Sequence, residues 1–337
     1  MLQKTNMKQL KKNKKFKNIF FLGAHDNFNE LIKINNNLGL KTFIISSTSQ
    51  VREKKLDKSK IKILDKLDDK FFLFVKKNVN VEETIFVSLG GRWIYNKKII
   101  DFCKNGIFNF HRSRLPFDAG GGGFSWRIMN NDRIDNQLVH KITEIIDVGP
   151  ILMSDAEVIP AQCILPDQIE KFSLNRFYLF YKNFMKKMIN DENLNVKHPP
   201  ESIGSYYPRL STNQNGWIDW SYDVYDLVNF INAFEDPYIG ASTFYKSKRV
   251  FIKKVQVHGG EISTHPYLSG LITRVDKNWL IVSTNSGRSI IIEKVMINND
   301  INIIKEIKVG ERFFTPIEKL ENSKSFRAKY TPKKNSN

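Results

Sequence analysis

Two cysteines, Cys103 and Cys163, are all the thiols that the 337 residues offer. A disulfide framework needs more of them and a metal-binding pair needs closer spacing, so neither organises this chain, and no metal is expected. Apolar residues never run for the roughly 18 positions that span a bilayer. The lysine-rich start has no hydrophobic stretch behind it, so neither a membrane segment nor a secretory leader is expected, and the cytoplasm is the expected compartment. Acidic residues are scarce as well, 35 against 53 lysines and arginines, which leaves a formal net charge of +18.

That excess is unevenly spread. Residues 1–17 carry seven lysines and no acid, residues 322–337 carry five basic residues and no acid, and residues 200–321 carry 14 of each sign. The two ends are therefore expected to be basic, disordered tails, too polar to bury a core. Holding a nucleic acid requires lysines and arginines on a folded surface. A balanced carboxyl-terminal half supplies few, and the lysine-rich stretch from Ser47 to Asp69 alternates with acids.

The chemistry lies in Asn109-Phe110-His111-Arg112-Ser113-Arg114-Leu115-Pro116 and, about thirty residues on, in Asp147-Val148-Gly149-Pro150-Ile151. An amide, an imidazole and a carboxylate beside turn residues suit acyl transfer to an amine. When an amine attacks a formyl carbon, charge builds on the carbonyl oxygen, and a fixed amide such as Asn109 can donate a hydrogen bond to it. The amine must lose a proton, which His111 can accept, since histidine titrates nearest neutral pH. Asp147 can orient that imidazole and favour its charged form. His25, His140, His198, His258 and His265 are assigned structural roles.

These two segments resemble the 10-formyltetrahydrofolate-dependent formyltransferases, which share Asn-x-His-x-Ser-x-Leu-Pro and a later Asp-x-Gly-x-Ile. Residue by residue, the resemblance implies catalytic roles for Asn109, His111 and Asp147, and sets Gly149 beside the cofactor. It implies 10-formyltetrahydrofolate as co-substrate. Thr84 to Ser88 reads as a buried strand, and the loop behind it, Leu89 to Tyr95, leaves the carboxyl end where open α/β sheets bind ligands. In the resembling enzymes this loop lines the pteridine pocket, which assigns Arg92, Trp93, Ile94 and Tyr95 to cofactor binding.

Between the motifs, Gly120 to Gly123 let backbone approach a ligand but lack the Gly-Lys-Ser/Thr ending of a phosphate loop. The family has an arginine where Ala119 stands, so acceptor specificity is open at this point. Asn18 to Gly23, the periodic stretch behind it and Lys41 to Ser46 read as strand, helix, strand. Further strands are expected near Phe71 to Val75, Gly106 to Phe110 and Leu138 to Ile146, with helices over Trp126 to Asn130 and Leu165 to Ile189. The single glycine pattern at Gly23 is no dinucleotide fingerprint.

Asn190 to Ser205, with Pro199-Pro200, reads as a linker. Tyr207-Pro208-Arg209-Leu210, Gly216 to Trp220 and Ala233 to Ala241 resemble the joining segment of methionyl-tRNA and sugar formyltransferases. Glycinamide ribonucleotide formyltransferases lack that extension. Five short strands between Ser242 and Val295 suggest a small barrel. The expected architecture is therefore a Rossmann-like open parallel sheet followed by a small β-barrel-like domain. Its boundaries are 1–17 basic tail, 18–195 catalytic domain, 196–242 linker and helical connection, 243–321 barrel-like domain and 322–337 basic tail. The expected acceptor is a primary amine, with a nucleotide-linked amino sugar ranked above initiator tRNA, and a homodimer is left open. A silent folate-fold binding protein and a nucleic-acid-binding module built on the tails are the competing classes.

Overall fold

The computed structural model describes residues 16–121, 123–198, 205–261, 265–298 and 301–328, apart from the side chains of 119 and 120. The expected tails at 1–15 and 329–337, and Pro199-Pro200, lie outside the described residues. At their inner edges the tails give way to folded chain. Phe16 is buried, Lys17 donates its backbone N–H to the Glu83 carbonyl at 2.9 Å, and a helix continues to Ser325. The described residues fall into two compact units, one within 1–116, 136–155 and 175–203, the other within 117–135, 156–174 and 204–337.

The first unit opens with β1 (Asn18–Gly23), α1 (Phe28–Asn37), β2 (Lys41–Ser46), α2 (Thr48–Glu53), β3 (Lys62–Ile63) and α3 (Asp69–Asn78). β4 (Thr84–Leu89), α4 (Lys97–Phe102) and β5 (Ile107–His111) follow. Strand order β3-β2-β1-β4-β5 reverses direction at β1, and every pairing along it is parallel. Phe20, Phe43 and Phe86 share one register on β1, β2 and β4 and stack at 4.7 and 5.5 Å. Phe20 and Phe86 are fully buried, which contributes roughly 1.5–3 kcal/mol for each ring.

The sheet is mixed beyond β5. β7 (Ile134–Lys141) runs antiparallel to β5, and β8 (Ile151–Val158) follows it at the edge. Lys141 N–H bonds Pro150 O at 3.0 Å and Ile159 N–H bonds Arg133 O at 2.7 Å, the signature of an antiparallel hairpin. The strand expected from Leu138 to Ile146 thus starts earlier and stops at Lys141, where the chain turns.

The strand expected at Phe71 to Val75 is instead helix α3. Asp68 caps its amino end by accepting from Lys70 N, and Lys76 and Lys77 sit in its last turn. Only Phe71 and Val75, four residues apart, are buried, while Leu73 is 69% exposed. The helix expected from Trp126 begins at Gly123, as α5 (Gly123–Met129), and α6 (Pro166–Ile189) matches the expected long helix closely.

The second unit holds the short parallel pair β6 (Asp118–Gly120) and β9 (Ser205–Tyr207), followed by α7 (Thr212–Asn215) and α8 (Val224–Ala233). A curled antiparallel sheet follows, built from β10 (Ala241–Tyr245), β11 (Lys248–His258), β12 (Ile272–Val275), β13 (Leu280–Ser283) and β14 (Ser289–Ile297). β15 (Ile301–Asn302), β16 (Phe313–Phe314) and α9 (Ile317–Ser325) complete it. The order is β12-β13-β14-β11-β10-β16, and the ends meet where Leu271 bridges Arg312, which makes the sheet barrel-like. Gly270 permits that closure: a Cβ there would stand 2.3 Å from the Phe313 carbonyl oxygen, and its φ is +81°. Among the described residues no helix is long and apolar enough to cross a membrane.

Candidate active site

β5 alternates. Phe108 and Phe110 are buried, whereas Asn109 and His111, two residues apart and hence on the opposite face, are half-buried. Phe110 is held by rings of α6, lying 5.8 Å from Phe177, 6.1 Å from Phe180 and 5.4 Å from Phe184. That packing sets Asn109 and His111 rigidly at the carboxyl end of the parallel sheet, next to the reversal of strand order where such folds bind ligands.

Three of the predicted residues meet here, together with one that the sequence reading set aside. Register pairs Asn109 with His140 on β7, and the Asn109 Nδ2 donates to His140 Nε2 at 3.0 Å. Asp147 reaches both histidines, with Oδ2 4.0 Å from His111 Nε2 and Oδ1 3.7 Å from His140 Nε2. Both separations exceed a hydrogen bond, so the carboxylate acts on the rings through its field. Ser113 Oγ hydrogen-bonds His111 Nδ1, which leaves Nε2 as the nitrogen facing Asp147. An imidazole, an amide and a carboxylate so arranged can accept a proton, donate to an oxyanion and stabilise an imidazolium.

The turn after β7 brings Asp147 in. Asp147 itself adopts φ +59°, a left-handed conformation that aspartate tolerates better than most residues. Two residues on, a Cβ on Gly149 would lie 1.7 Å from the Lys141 carbonyl oxygen, so the hairpin closes only over glycine. This is the observed role of Gly149, placed in the sequence reading beside the cofactor.

His140 was the residue missed. It is 2% exposed, and burial holds it below the ordinary histidine range, with the charge of His111 adding to that and Asp147 opposing it. Because Nε2 accepts from Asn109, the neutral ring carries its proton on Nδ1, 3.3 Å from the Lys141 carbonyl. Only the antiparallel register of β5 with β7 reveals this pairing, and the sequence carries no direct mark of that register.

The loop behind β4 separates its residues. Arg92 pairs with the Glu53 carboxylate, Nη1 to Oε1 at 2.9 Å, and Trp93 donates its indole N–H to Asp65 O at 3.1 Å. Ile94 is 76% exposed. Tyr95 turns into the core, where its hydroxyl bonds Ser88 Oγ at 3.1 Å and burial pushes its pKa up. Gln50 Nε2 clamps the loop at Gly90 O, 2.7 Å away. Among the described residues, no cluster of histidine, cysteine, aspartate and glutamate could hold a metal ion.

Of the other histidines, His258 pairs with Glu261 and His265 accepts from Tyr267 N. His25 follows β1, its ring 5.4 Å from Phe177. Burial first, then the Arg112 charge, hold its pKa at about 4 against an ordinary 6.5. The folded chain therefore refuses a proton that the unfolded chain accepts, so stability falls as pH drops from about 6.5 to about 4. Urea unfolding of the protein and of His25→Gln at pH 7.5 and 4.5 is expected to show a smaller acid loss in the variant. Equal losses would assign the acid sensitivity elsewhere.

Residues 211–305 match the model described as the formyl transferase carboxyl-terminal domain. The chain is 29% identical over 223 residues to the methionyl-tRNA formyltransferase of Thermodesulfovibrio yellowstonii, covering 66% of this chain and 68% of that one. WlaRD, a sugar 3N-formyltransferase solved with dTDP and 5-N-formyl-THF, superposes at TM-score 0.60 and 21% identity, covering 83% of this chain and 97% of its own. An N-formyltransferase of Helicobacter canadensis, solved with folinic acid and dTDP-3-aminofucose, superposes at 0.60 and 18% identity, covering 82% and 99%. Both likenesses are of fold: a Rossmann-like sheet followed by a curled barrel-like one. Residues 211–305 thus match a formyl transferase carboxyl-terminal domain, and the chain is similar in sequence and in fold to N-formyltransferases.

Proposed function

We propose that the protein transfers the formyl group of 10-formyltetrahydrofolate to the amino group of a nucleotide-linked amino sugar, in the cytoplasm. The observation that carries this reading is the convergence of Asn109, His111 and Asp147 at the end of β5. The acceptor amine attacks the formyl carbon while His111 Nε2 takes its proton. Asp147, 4.0 Å from that nitrogen, favours the resulting imidazolium. The Asn109 amide has two N–H groups; one is given to His140, and the other serves the oxyanion. The carbon–nitrogen bond to the folate then breaks, with the proton held on His111 delivered to the departing nitrogen. The loop from Gly90 to Tyr95 takes the pteridine, with Arg92, Trp93 and Ile94 on its outer side and Tyr95 bracing it from the core.

The sugar acceptor is supported by the charge balance of residues 200–321 and by the two solved sugar N-formyltransferases, crystallised with dTDP or a dTDP-amino sugar. A second reading, methionyl-tRNA as acceptor, is favoured by the 29% identity to the Thermodesulfovibrio enzyme. A formylation assay with 10-formyltetrahydrofolate, nucleotide-linked amino sugars and charged initiator tRNA separates them. A chain trimmed to residues 16–328 is expected to keep its sugar activity and to bind tRNA with little salt dependence. Efficient formylation of methionyl-tRNA by that trimmed chain, with no sugar turned over, would reverse the order of the two readings.

A further inference from the structure

The second unit contains a cavity of about 360 Å³ between α5, α8 and α9, separate in residues and chemistry from the Asn109 cluster. Its walls are aromatic. Trp126 is fixed by its indole N–H on the Pro208 carbonyl at 2.9 Å, and Phe230 packs on Phe234 at 5.0 Å and edge-on to Tyr222 at 5.8 Å. Trp126, Tyr222 and Phe230 are only half-buried, unlike the sealed core beneath them, so rigid ring surface meets solvent at the mouth. Rigid aromatic walls suit stacking of a flat heteroaromatic ring.

The mouth is charged in a specific way. Asp226, exposed on the first turn of α8, supplies a carboxylate. Lys324 and Arg327, at the end of α9 and just beyond it, supply two cations. Lys324 lies 3.4 Å from Asp219 and 3.8 Å from Glu321, and Arg327 Nη1 donates to the carbonyls of Lys324 and Phe326 at 2.6 and 3.0 Å, which holds the guanidinium at the rim. Aromatic walls with a carboxylate and two cations at the mouth suit a base joined to a phosphate. The volume lies at the small end of the ligand-pocket range.

We propose that this cavity is a binding site for a nucleoside monophosphate whose base carries an exocyclic amine, guanine foremost. Guanine presents N1–H and the N2 amine side by side, so one carboxylate accepts from both. Thymine and uracil set carbonyl oxygens beside their single imide N–H and meet Asp226 with repulsion. Lys324 and Arg327 take the phosphate, a charge-assisted contact that strengthens as the mouth excludes water. The site acts on no bond; it recognises and holds.

Isothermal titration of the full chain with GMP, CMP and UMP tests this. Saturable binding is expected for GMP, weaker binding for CMP, and at least tenfold weaker binding for UMP. Asp226→Ala should remove the preference among bases, and Arg327→Glu, a surface change that leaves the fold in place, should weaken GMP at least tenfold. GMP affinity should be unchanged in Asn109→Ala and His111→Ala. Absence of saturable GMP binding, or binding lost in His111→Ala and kept in Arg327→Glu, would overturn the proposal; the second result would move the nucleotide to the Asn109 cluster.

Discussion

Replacing His111 with alanine is expected to lower turnover by on the order of a hundredfold or more while the fold is kept, because on the proposed mechanism the acceptor amine loses the base that takes its proton. A hundredfold corresponds to about 2.7 kcal/mol of barrier. Asn109→Ala should cost a similar amount through the lost oxyanion donor, and it also leaves His140 Nε2 without the N–H it accepts at 3.0 Å. Asn109→Asp keeps the shape but replaces the amide donor with an acceptor, so it should be at least as damaging. Steady-state kinetics on the accepted substrate, with circular dichroism to confirm folding, checks all three. Turnover near wild type in a folded Asn109→Ala protein would remove Asn109 from the reaction.

Gly149→Ala is the second substitution with a large expected effect. The new methyl group would meet the Lys141 carbonyl oxygen at 1.7 Å and its carbon at 2.9 Å, both backbone atoms that cannot swing aside. The hairpin must open, at a cost of roughly 1–3 kcal/mol by analogy with overpacked cores. Asp147 sits two residues before this point, and its carboxylate moves with the turn. A displacement of the order of 1 Å at a reacting group can cost about a hundredfold in rate. A fall in melting temperature together with that loss of turnover is expected. A variant that melts and turns over like the parent would show that the hairpin tolerates the side chain and that Asp147 is placed by something else.

The elements legible in the sequence are those whose signals are local. The strands β1, β2 and β4 are compact apolar runs, and Asn109, His111 and Asp147, which the fold brings together, stand in two short motifs with turn residues beside them. α3 was misread because Phe71-Phe72-Leu73-Phe74-Val75 is the kind of aromatic run that strands favour. Its helical identity rests on the Asp68 cap and on burying only one side, facts that a run of apolar letters conceals. The partner of His140 was not legible for a different reason. A histidine gains meaning from what stands opposite it, and the reversal of β7 against β5, which sets it across from Asn109, is a tertiary event. Tyr95 likewise carries no local sign that it turns inward while Ile94, beside it, turns out.

The hydrogen bond between Asn109 and His140 ties the amide's orientation to the charge of a ring on the neighbouring strand. While His140 is neutral, its lone pair holds one N–H of Asn109 and fixes the direction of the other. A second proton on that ring would set N–H against N–H, and the amide would rotate to offer its oxygen, turning an acceptor toward the developing oxyanion. Burial holds that protonation below the usual histidine range. Acid can therefore reach the carbonyl from the neighbouring strand, by taking away the donor that faces it.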